Sequence, residues 1–245
     1  MDIKLVKMMG DDEFITQAAR VSNDLHDVEY SNDKVRSLIR YLYRNEHLTP
    51  FEMVTTIWKV KVPIAIARQW MRHRMGSFNE ISRRYVDKDP EYYRPTLRKR
   101  ALNKKQGSDE SSKVEPHVDW IFDDAYTHAD VAYKQLLEGE VAPEVARFAL
   151  PLGVETEFFW KVDLRNLFHF LELRMHDHAQ KEIRDCANRI YGILMNEVPE
   201  LKHSLQIFTE MNDINNLVRD LKNTFKDEPL HLKQLLLELY YREKT

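Results

Sequence analysis

Residues 51–74 are FEMVTTIWKVKVPIAIARQWMRHR, a β-branched and aromatic run joined through one proline to a run of helix-compatible composition. Phe51 to Val62 is dense in β-branched and aromatic residues, which fit a half-buried pleated surface, so it is read as a strand. Pro63 ends that strand or opens the next element, because its ring fixes φ at a helical value and removes a ladder donor. Ile64 to Arg74 then has a helix-compatible composition, on which Gln69 with Arg72, and Arg68 with Arg72, share a face. A strand running directly into a helix makes this an α/β chain.

Outward from that stretch, Met75 to Ser82 (MGSFNEIS) is polar with one glycine and reads as a loop or irregular turn. The run QGSDESSKVEP, Gln106 to Pro116, reads as a mobile surface loop. Helices follow from about Pro116 to Glu138, closed at Gly139, and from Pro143 to Leu150. Val154 to Val162 (VETEFFWKV) is the second strand candidate. Asp163 can cap a long helix in which Leu164, Leu167, Phe168 and Leu171 recur at helical spacing, continuing through Ile183, Cys186 and Ile190 to Leu194. Towards the N-terminus, residues 11–19 (DDEFITQAA) suggest a short helix with acids in its first turn. Ser31 can cap a helix to Arg44 whose apolar face is Val35, Leu38, Ile39 and Leu42. The tail from Leu201 is again helical, with a last apolar face at Leu232, Leu235, Leu236 and Leu239 after Pro229. No internal repeat and no break in composition demands a boundary. The economical architecture is a single mixed α/β domain over residues 1–245, with a central sheet flanked by long helices.

Composition narrows the chemistry. With 43% hydrophobic and 31% charged residues the chain has a soluble globular balance, and its apolar runs are broken by Arg, Lys or Glu well before they could span a bilayer. Met1 to Lys7 has neither a basic leader nor an apolar core, so a cytoplasmic location is the default expectation. The single cysteine, Cys186, excludes an intrachain disulfide and any all-thiolate metal site. Only six glycines are present, which removes the glycine-rich nucleotide fingerprints. The net charge of -3 hides an excess between Arg68 and Lys105, where twelve Lys or Arg face four Asp or Glu. That excess suits an anionic ligand or a nucleic acid, whereas Arg98 to Lys105 reads better as a solvated face.

The chemistry-bearing segment is RHRMGSFNEISRRY, Arg72 to Tyr85. Arginine presents a planar fork of donors matched to phosphate or carboxylate, and Ser77 and Ser82 add short contacts. Glu80 among these cations stays ionised, either orienting an arginine, accepting from a ligand, or simply ion-pairing. On the long helix Arg165 with His169, and Arg174 with His178, are four apart and can meet a common ligand, with Arg147 on the preceding helix. Surface solvation is the alternative for each arginine taken singly. A zinc site built from His169, His176 and His178 is disfavoured, because two helical residues two apart point roughly 200° apart, so no metal is expected. Cys186 lies on the apolar stripe with Ile183 and Ile190 and reads as structural.

Taken together, these segments resemble the flavin-dependent thymidylate synthases. The family's signature is RHR, seven residues and a serine, here Arg72, His73, Arg74 and then Ser82. Flanking segments agree: AARVS at Ala18, HLTPFE at His47, ARFALP at Ala146, LRNLFHFLELR at Leu164 and HAQKEIR at His178. The likeness covers most of residues 1–195. It implies reductive methylation of dUMP to dTMP without a cysteine nucleophile, with 5,10-methylenetetrahydrofolate as one-carbon donor, NADPH as reductant and FAD as hydride carrier. It also implies a homotetramer with active sites where subunits meet. By correspondence of motif, dUMP contacts are expected at Gln69, Arg72, Glu80, Ser82, Arg83, Arg84, Arg147 and Arg174, the last as the activating residue. FAD contacts are expected at Thr49, Glu52, Arg72, His73, Arg74, Glu80, Asp163, Arg165, His169 and His178. The family often has Asn at the positions of Asp163 and His169. The rival from another class is a nucleic-acid-binding protein using the basic region 68–105.

Overall fold

In the computed structural model, residues 1–24, 29–85, 88–101, 107–110, 114 and 118–224 are described, the last five of these for backbone alone. The strand β2, Thr55–Pro63, buries every second residue, Thr56, Trp58, Val60 and Val62. It pairs antiparallel along its whole length with β6, Glu155–Asp163, so that Trp58 stands opposite Trp160 and Thr56 opposite Val162. The alternation follows from the pleat, which sends successive side chains to opposite faces. Two further strands complete an antiparallel sheet in the order β1-β2-β6-β3. These are β1, Asp2–Met9, paired to β2 with a bulge between Leu5 and Lys7, and β3, Ser77–Glu80, paired to β6.

The chain forms two compact units, each drawn from two separated stretches: Met1–Met9 with Thr55–Gly192, and Gly10–Val54 with the residues from Ile193 on. The first holds the sheet, with helices α3, Ile64–Trp70, and α6, Leu164–Arg174, starting directly at the ends of β2 and β6. Trp70 of α3 meets Trp160 edge-on at 5.3 Å, and its ring lies 4.8 Å from that of Phe170 on α6, so the two helices share one aromatic core. Asp163 caps α6 by accepting from the Asn166 N–H at 2.9 Å, as expected. The unit also contains a two-strand ribbon, β4 Lys99–Arg100 with β5 Ser108–Asp109, and the helices α4, Trp120–Glu138, and α5, Pro143–Ala146.

The second unit is helical: α1, Asp12–Arg20, α2, Asn32–Arg44, a 3-10 turn at Thr49–Met53, and α8, Lys202–Thr224. Asp12 is a first-turn acid of α1, as expected, and is also buried, accepting from the His203 N–H, the Ser204 N–H and the Ser204 hydroxyl at the start of α8. Arg40 and Glu210 join α2 to α8 with an ion pair at 2.5 Å. Helix α7, Lys181–Glu197, carries the chain across the division at Gly192.

The mixed α/β class, with a sheet flanked by helices, agrees with the expectation. Several local expectations are corrected. Phe51 to Met53 belong to the 3-10 turn, so the strand begins four residues later than read. Strand β3 replaces the expected loop over Ser77–Glu80, because β6 offers an open edge for it to pair with. The helix after Pro63 ends at Trp70, which leaves Arg72 in the turn that follows and not on the same helix as Arg68. The long helix breaks after Arg174, and residues 175–180 form a turn held partly by the Arg184 guanidinium, which donates to the Asp177 and Ala179 carbonyls. Ser31 occupies the N-cap position of α2 without bonding a backbone N–H there. In the run 106–116 only 107–110 and 114 are described, and the apolar face after Pro229 lies outside the described residues. No helix among the described residues is long and apolar enough to cross a membrane.

Candidate active site

A cleft of about 940 Å³ opens in the sheet-bearing unit, near the top of the range that small-molecule and cofactor sites occupy, roughly 300–1,000 Å³. Trp160 and Val162 of β6 form part of its wall; Gln69 comes from α3, and Arg72, His73 and Arg74 from the turn that follows. His169 and Arg174 come from the last turns of α6, His178 and Gln180 from the turn after it, and Lys181 and Arg184 from the start of α7. The early ends of α3 and α6 place these groups here: each helix stops where its backbone turns beside the aromatic core, and the polar residues past that point line the opening.

Among the lining residues six are Lys or Arg (Arg72, Arg74, Arg98, Arg174, Lys181, Arg184) and two are acids (Glu110, Asp177). Arg98 is tied to Glu182, Arg184 to Glu110 and Lys181 to Asp185. Among the described residues no carboxylate pairs with Arg72, Arg74 or Arg174, so the cleft keeps a positive field suited to an anionic ligand.

At its centre Arg174 Nε donates to His73 Nε2 at 2.9 Å, and Arg174 Nη2 donates to the Gln69 carbonyl at 3.4 Å. Burial, then the charge of Arg174, then His169, push the His73 imidazole down to a pKa of about 4. The imidazole is therefore neutral at physiological pH and can accept from the guanidinium. Burial and Arg72 lower the Arg174 pKa as well, from a value high enough that the group stays cationic at neutral pH. Gly76 lets the chain pass close to the cleft wall: a Cβ there would lie 2.8 Å from Trp160 Nε1 and 3.0 Å from the Lys161 carbonyl.

The cleft thus brings together Gln69, Arg72, His73, Arg74, His169, His178 and Arg174. The other expected residues do not line it. Glu80 accepts from the Thr156 hydroxyl at 2.5 Å; of the roles open to it, pairing with an arginine does not occur among the described residues. Arg84 pairs with the Glu144 carboxylate at 3.2 Å, and Arg147 donates to the Glu144 carbonyl at 3.2 Å, so these two arginines form a second group. Ser82 accepts from the Arg84 N–H, and Arg83 donates to the Lys88 carbonyl. Asp163 uses both oxygens on Asn166, and Arg165 lies on the first turn of α6. Thr49 and Glu52 lie in the 3-10 turn of the helical unit. The break after Arg174 takes Arg174 and His178 off a common helix and sets the His176 and His178 rings side by side, centroids 4.8 Å apart, against the opposed directions expected for a helix. No group of three metal-ligating side chains occurs among the described residues. Cys186 is buried at 2% exposure, as expected, and burial pushes its thiol up to about 12.

Four contributors were not singled out from sequence: Gln180, Glu182, Trp160 and Arg98. The first two lie in HAQKEIR, where helical spacing drew attention to His178 alone. Arg98, read as part of a solvated face, has a side chain only 12% exposed and bonds to both Glu182 oxygens, at 2.7 and 2.9 Å.

Residues 4–200 match the family model described as "Thymidylate synthase complementing protein". A flavin-dependent thymidylate synthase of Thermus thermophilus is 46% identical over 198 residues, 80% of this chain and 72% of that protein. Another, from Treponema denticola, is 40% identical over 230 residues, 90% of this chain and 84% of that protein. Among solved structures, a UMP/dUMP methylase from Streptomyces cacaoi bound with 5-Br dUMP superimposes with a TM-score of 0.75 at 31% identity, covering 85% of this chain and 94% of that one.

Proposed function

The chain belongs to the flavin-dependent thymidylate synthase family, and from that premise we propose which of its residues carry the reaction. The activity is the reductive methylation of dUMP to dTMP, with 5,10-methylenetetrahydrofolate, NADPH and FAD, and with no cysteine nucleophile. The burial and high pKa of Cys186 agree with the last point, since a neutral buried thiol is a poor nucleophile.

The observation that carries the assignment is Arg174, a cation unpaired with any described carboxylate, held in a large cleft by a neutral imidazole. The guanidinium faces the pyrimidine and stabilises negative charge that develops on the ring as its carbon becomes nucleophilic. His73 holds it in place without competing charge. Arg72 and Arg74 balance the anionic phosphates of nucleotide and cofactor. The residues present fit a flavin nucleotide: the cleft is large, cationic and walled on one side by the aromatic ring of Trp160. Gln69, Arg72 and Arg174 would contact dUMP, while His73, Arg74, His169 and His178 would contact FAD. When bound, FAD supplies the hydride drawn from NADPH, and the protein contributes alignment and exclusion of water.

Glu80, Ser82, Arg83, Arg84 and Arg147 remain assigned to dUMP, at a site completed by a second copy of the chain. Two features support this. Arg84 and Arg147 gather on Glu144, outside the cleft that holds Arg174. Beside them Tyr85 is 78% and Phe148 83% exposed, large aromatic surfaces that another subunit would cover. Thr49, Glu52, Asp163 and Arg165 stay assigned to FAD on motif correspondence. A homotetramer in the cytoplasm is the assembly this reading requires.

The nucleic-acid alternative loses ground because Arg84, Arg94 and Arg98, within the basic stretch, are committed to acidic partners. The deciding assay is dTMP formation from dUMP and methylenetetrahydrofolate, with and without NADPH and FAD. Turnover that needs all four is expected. Binding to nucleic acid with a steep salt dependence, and no flavin spectrum, would overturn the assignment.

A further inference from the structure

At the edge of the cleft four side chains form an ordered relay. Arg98 Nη2 donates to both oxygens of Glu182, at 2.7 and 2.9 Å. Gln180 Nε2 donates to Glu182 Oε2 at 2.9 Å, and Gln69 Nε2 donates to Gln180 Oε1 at 2.6 Å. The direction of every bond follows from its far end. Glu182 is 2% exposed and ion-paired, and although burial opposes its charge, the hydrogen bonds from Arg98 and Gln180 hold its pKa below the ordinary value. An ionised carboxylate only accepts, so it compels Gln180 to turn its NH₂ group toward it and its oxygen toward Gln69. Gln69 must then turn its NH₂ group toward Gln180, where one of its two N–H bonds is used, and this fixes its carbonyl oxygen on the other side as the acceptor it offers a ligand.

We propose that Gln180, anchored by Glu182 and Arg98, is a positioning residue that locks the Gln69 carboxamide with its oxygen toward the substrate, making the site select a base with an N–H at the imide position. This rests on the reading that the cleft holds the pyrimidine of dUMP. Arg174 stands next to Gln69, since its Nη2 reaches the Gln69 main-chain carbonyl. The cleft therefore sets a guanidinium donor beside an amide acceptor. Uracil complements that pair with a carbonyl beside N3–H. Cytosine reverses it, with a bare N3 acceptor beside an amino donor, so both contacts turn repulsive or unmade. A freely rotating glutamine would flip to suit either base. The relay removes that option.

The test measures dUMP and dCMP affinity by calorimetry on the FAD-loaded protein, in wild type, Gln180→Ala and Gln180→Glu. Gln180 is solvent-exposed, so its replacement leaves the core intact, and an unchanged melting temperature checks this. Wild type is expected to favour dUMP strongly. Gln180→Ala frees Gln69 and reduces the dUMP-to-dCMP preference by about tenfold or more, the worth of one oriented hydrogen bond. Gln180→Glu sets a second carboxylate where the Gln180 NH₂ group stood 2.9 Å from Glu182 Oε2, so repulsion swings the side chain away, frees Gln69 and lowers the preference as Gln180→Ala does. A merely structural role would weaken both ligands equally and leave the ratio unmoved. Equal ratios in wild type and Gln180→Ala overturn the proposal, as does a Gln180→Glu ratio that stays at the wild-type value. A wild-type protein that binds no dUMP at all would instead overturn the reading of the cleft.

Discussion

Arg174 donates through Nε to His73 Nε2 at 2.9 Å, joining the last turn of one helix to the turn that follows another. Because this bond uses the inner nitrogen of the guanidinium, the two terminal nitrogens remain for the cleft and for the Gln69 carbonyl. The bond requires a neutral imidazole, and the consequence can be measured. The His73 ring should titrate near pH 4 by NMR, against 6.5 for an ordinary histidine. An unfolded chain takes up this proton near 6.5 and the folded chain resists until about 4, so the stability involved is complete above 6.5 and is lost as the pH falls toward 4. His73→Gln keeps an acceptor that does not titrate, and its melting temperature should vary less across that interval. A titration midpoint near 6.5 in the native protein contradicts the assignment.

Arg174→Lys replaces the planar fork by a point charge that cannot hold the His73 contact and face the ring together. Loss of one preorganised donor typically costs about 3 to 4 kcal/mol in the transition state, roughly 100- to 1,000-fold in kcat. The dissociation constant of dUMP should change far less. Parallel losses in kcat and in binding would remove Arg174 from the activating role.

Cys186→Ala should leave turnover close to wild type and lower stability by roughly 1 kcal/mol, since only a small buried group is removed. The native thiol, with its pKa near 12, should also resist alkylation at pH 8 until the protein is unfolded. A folded Cys186→Ala protein without turnover would restore a chemical role to the thiol.

Gly76→Ala puts a methyl group against Trp160 Nε1 and the Lys161 carbonyl, at 2.8 and 3.0 Å. One of these contacts is backbone, so the strain falls on the pairing of β3 with β6 as well as on the cleft wall. Overpacking of this kind typically costs about 1 to 3 kcal/mol. Thermal denaturation should show that loss, together with weaker retention of flavin. An unaltered melting temperature would mean that β3 is free to move away.

Mixing supplies the test of a shared site. Arg147→Ala and Arg174→Ala should each be nearly inactive alone. If one subunit provides Arg174 and another Arg147, co-expressed chains regain activity, up to about a quarter of the sites in a random assembly. No recovery in a mixed tetramer would place both arginines in the same chain's site.

Much of the scaffold was legible in the sequence, because local pattern and tertiary role agree there. TTIWKVKV, Thr55 to Val62, alternates as a half-buried strand must, and Asp163 followed by Leu164, Leu167, Phe168 and Leu171 marks a capped helix. What escaped was non-local. SFNE is short and polar and becomes a strand only because Phe158 to Lys161 pair with it from some 80 residues away. The helix break after Arg174 carries no Gly or Pro, and apolar spacing runs on regardless; the turn is held by Arg184 reaching back to carbonyl groups. At the site, Arg72, His73, Arg74 and Arg174 were legible from motif. Arg98 was not, since its burial is decided by Glu182, a residue 84 positions further on.

The strand order β1-β2-β6-β3 also bears on how the chain matures as it leaves the ribosome. β6, completed only at Asp163, occupies an inner place in the sheet and is, among the described residues, the one sheet partner of β3. Until it emerges, β2 offers a naked edge rich in Trp and Val, and SFNE has nothing to pair with. A nascent chain stalled in α4 or α5 would hold a two-strand remnant, prone to recruit strands from neighbouring chains. Synthesis rate through residues 120–163, and chaperone occupancy over that window, should therefore govern the yield of native protein more strongly than the same change imposed after Asp163.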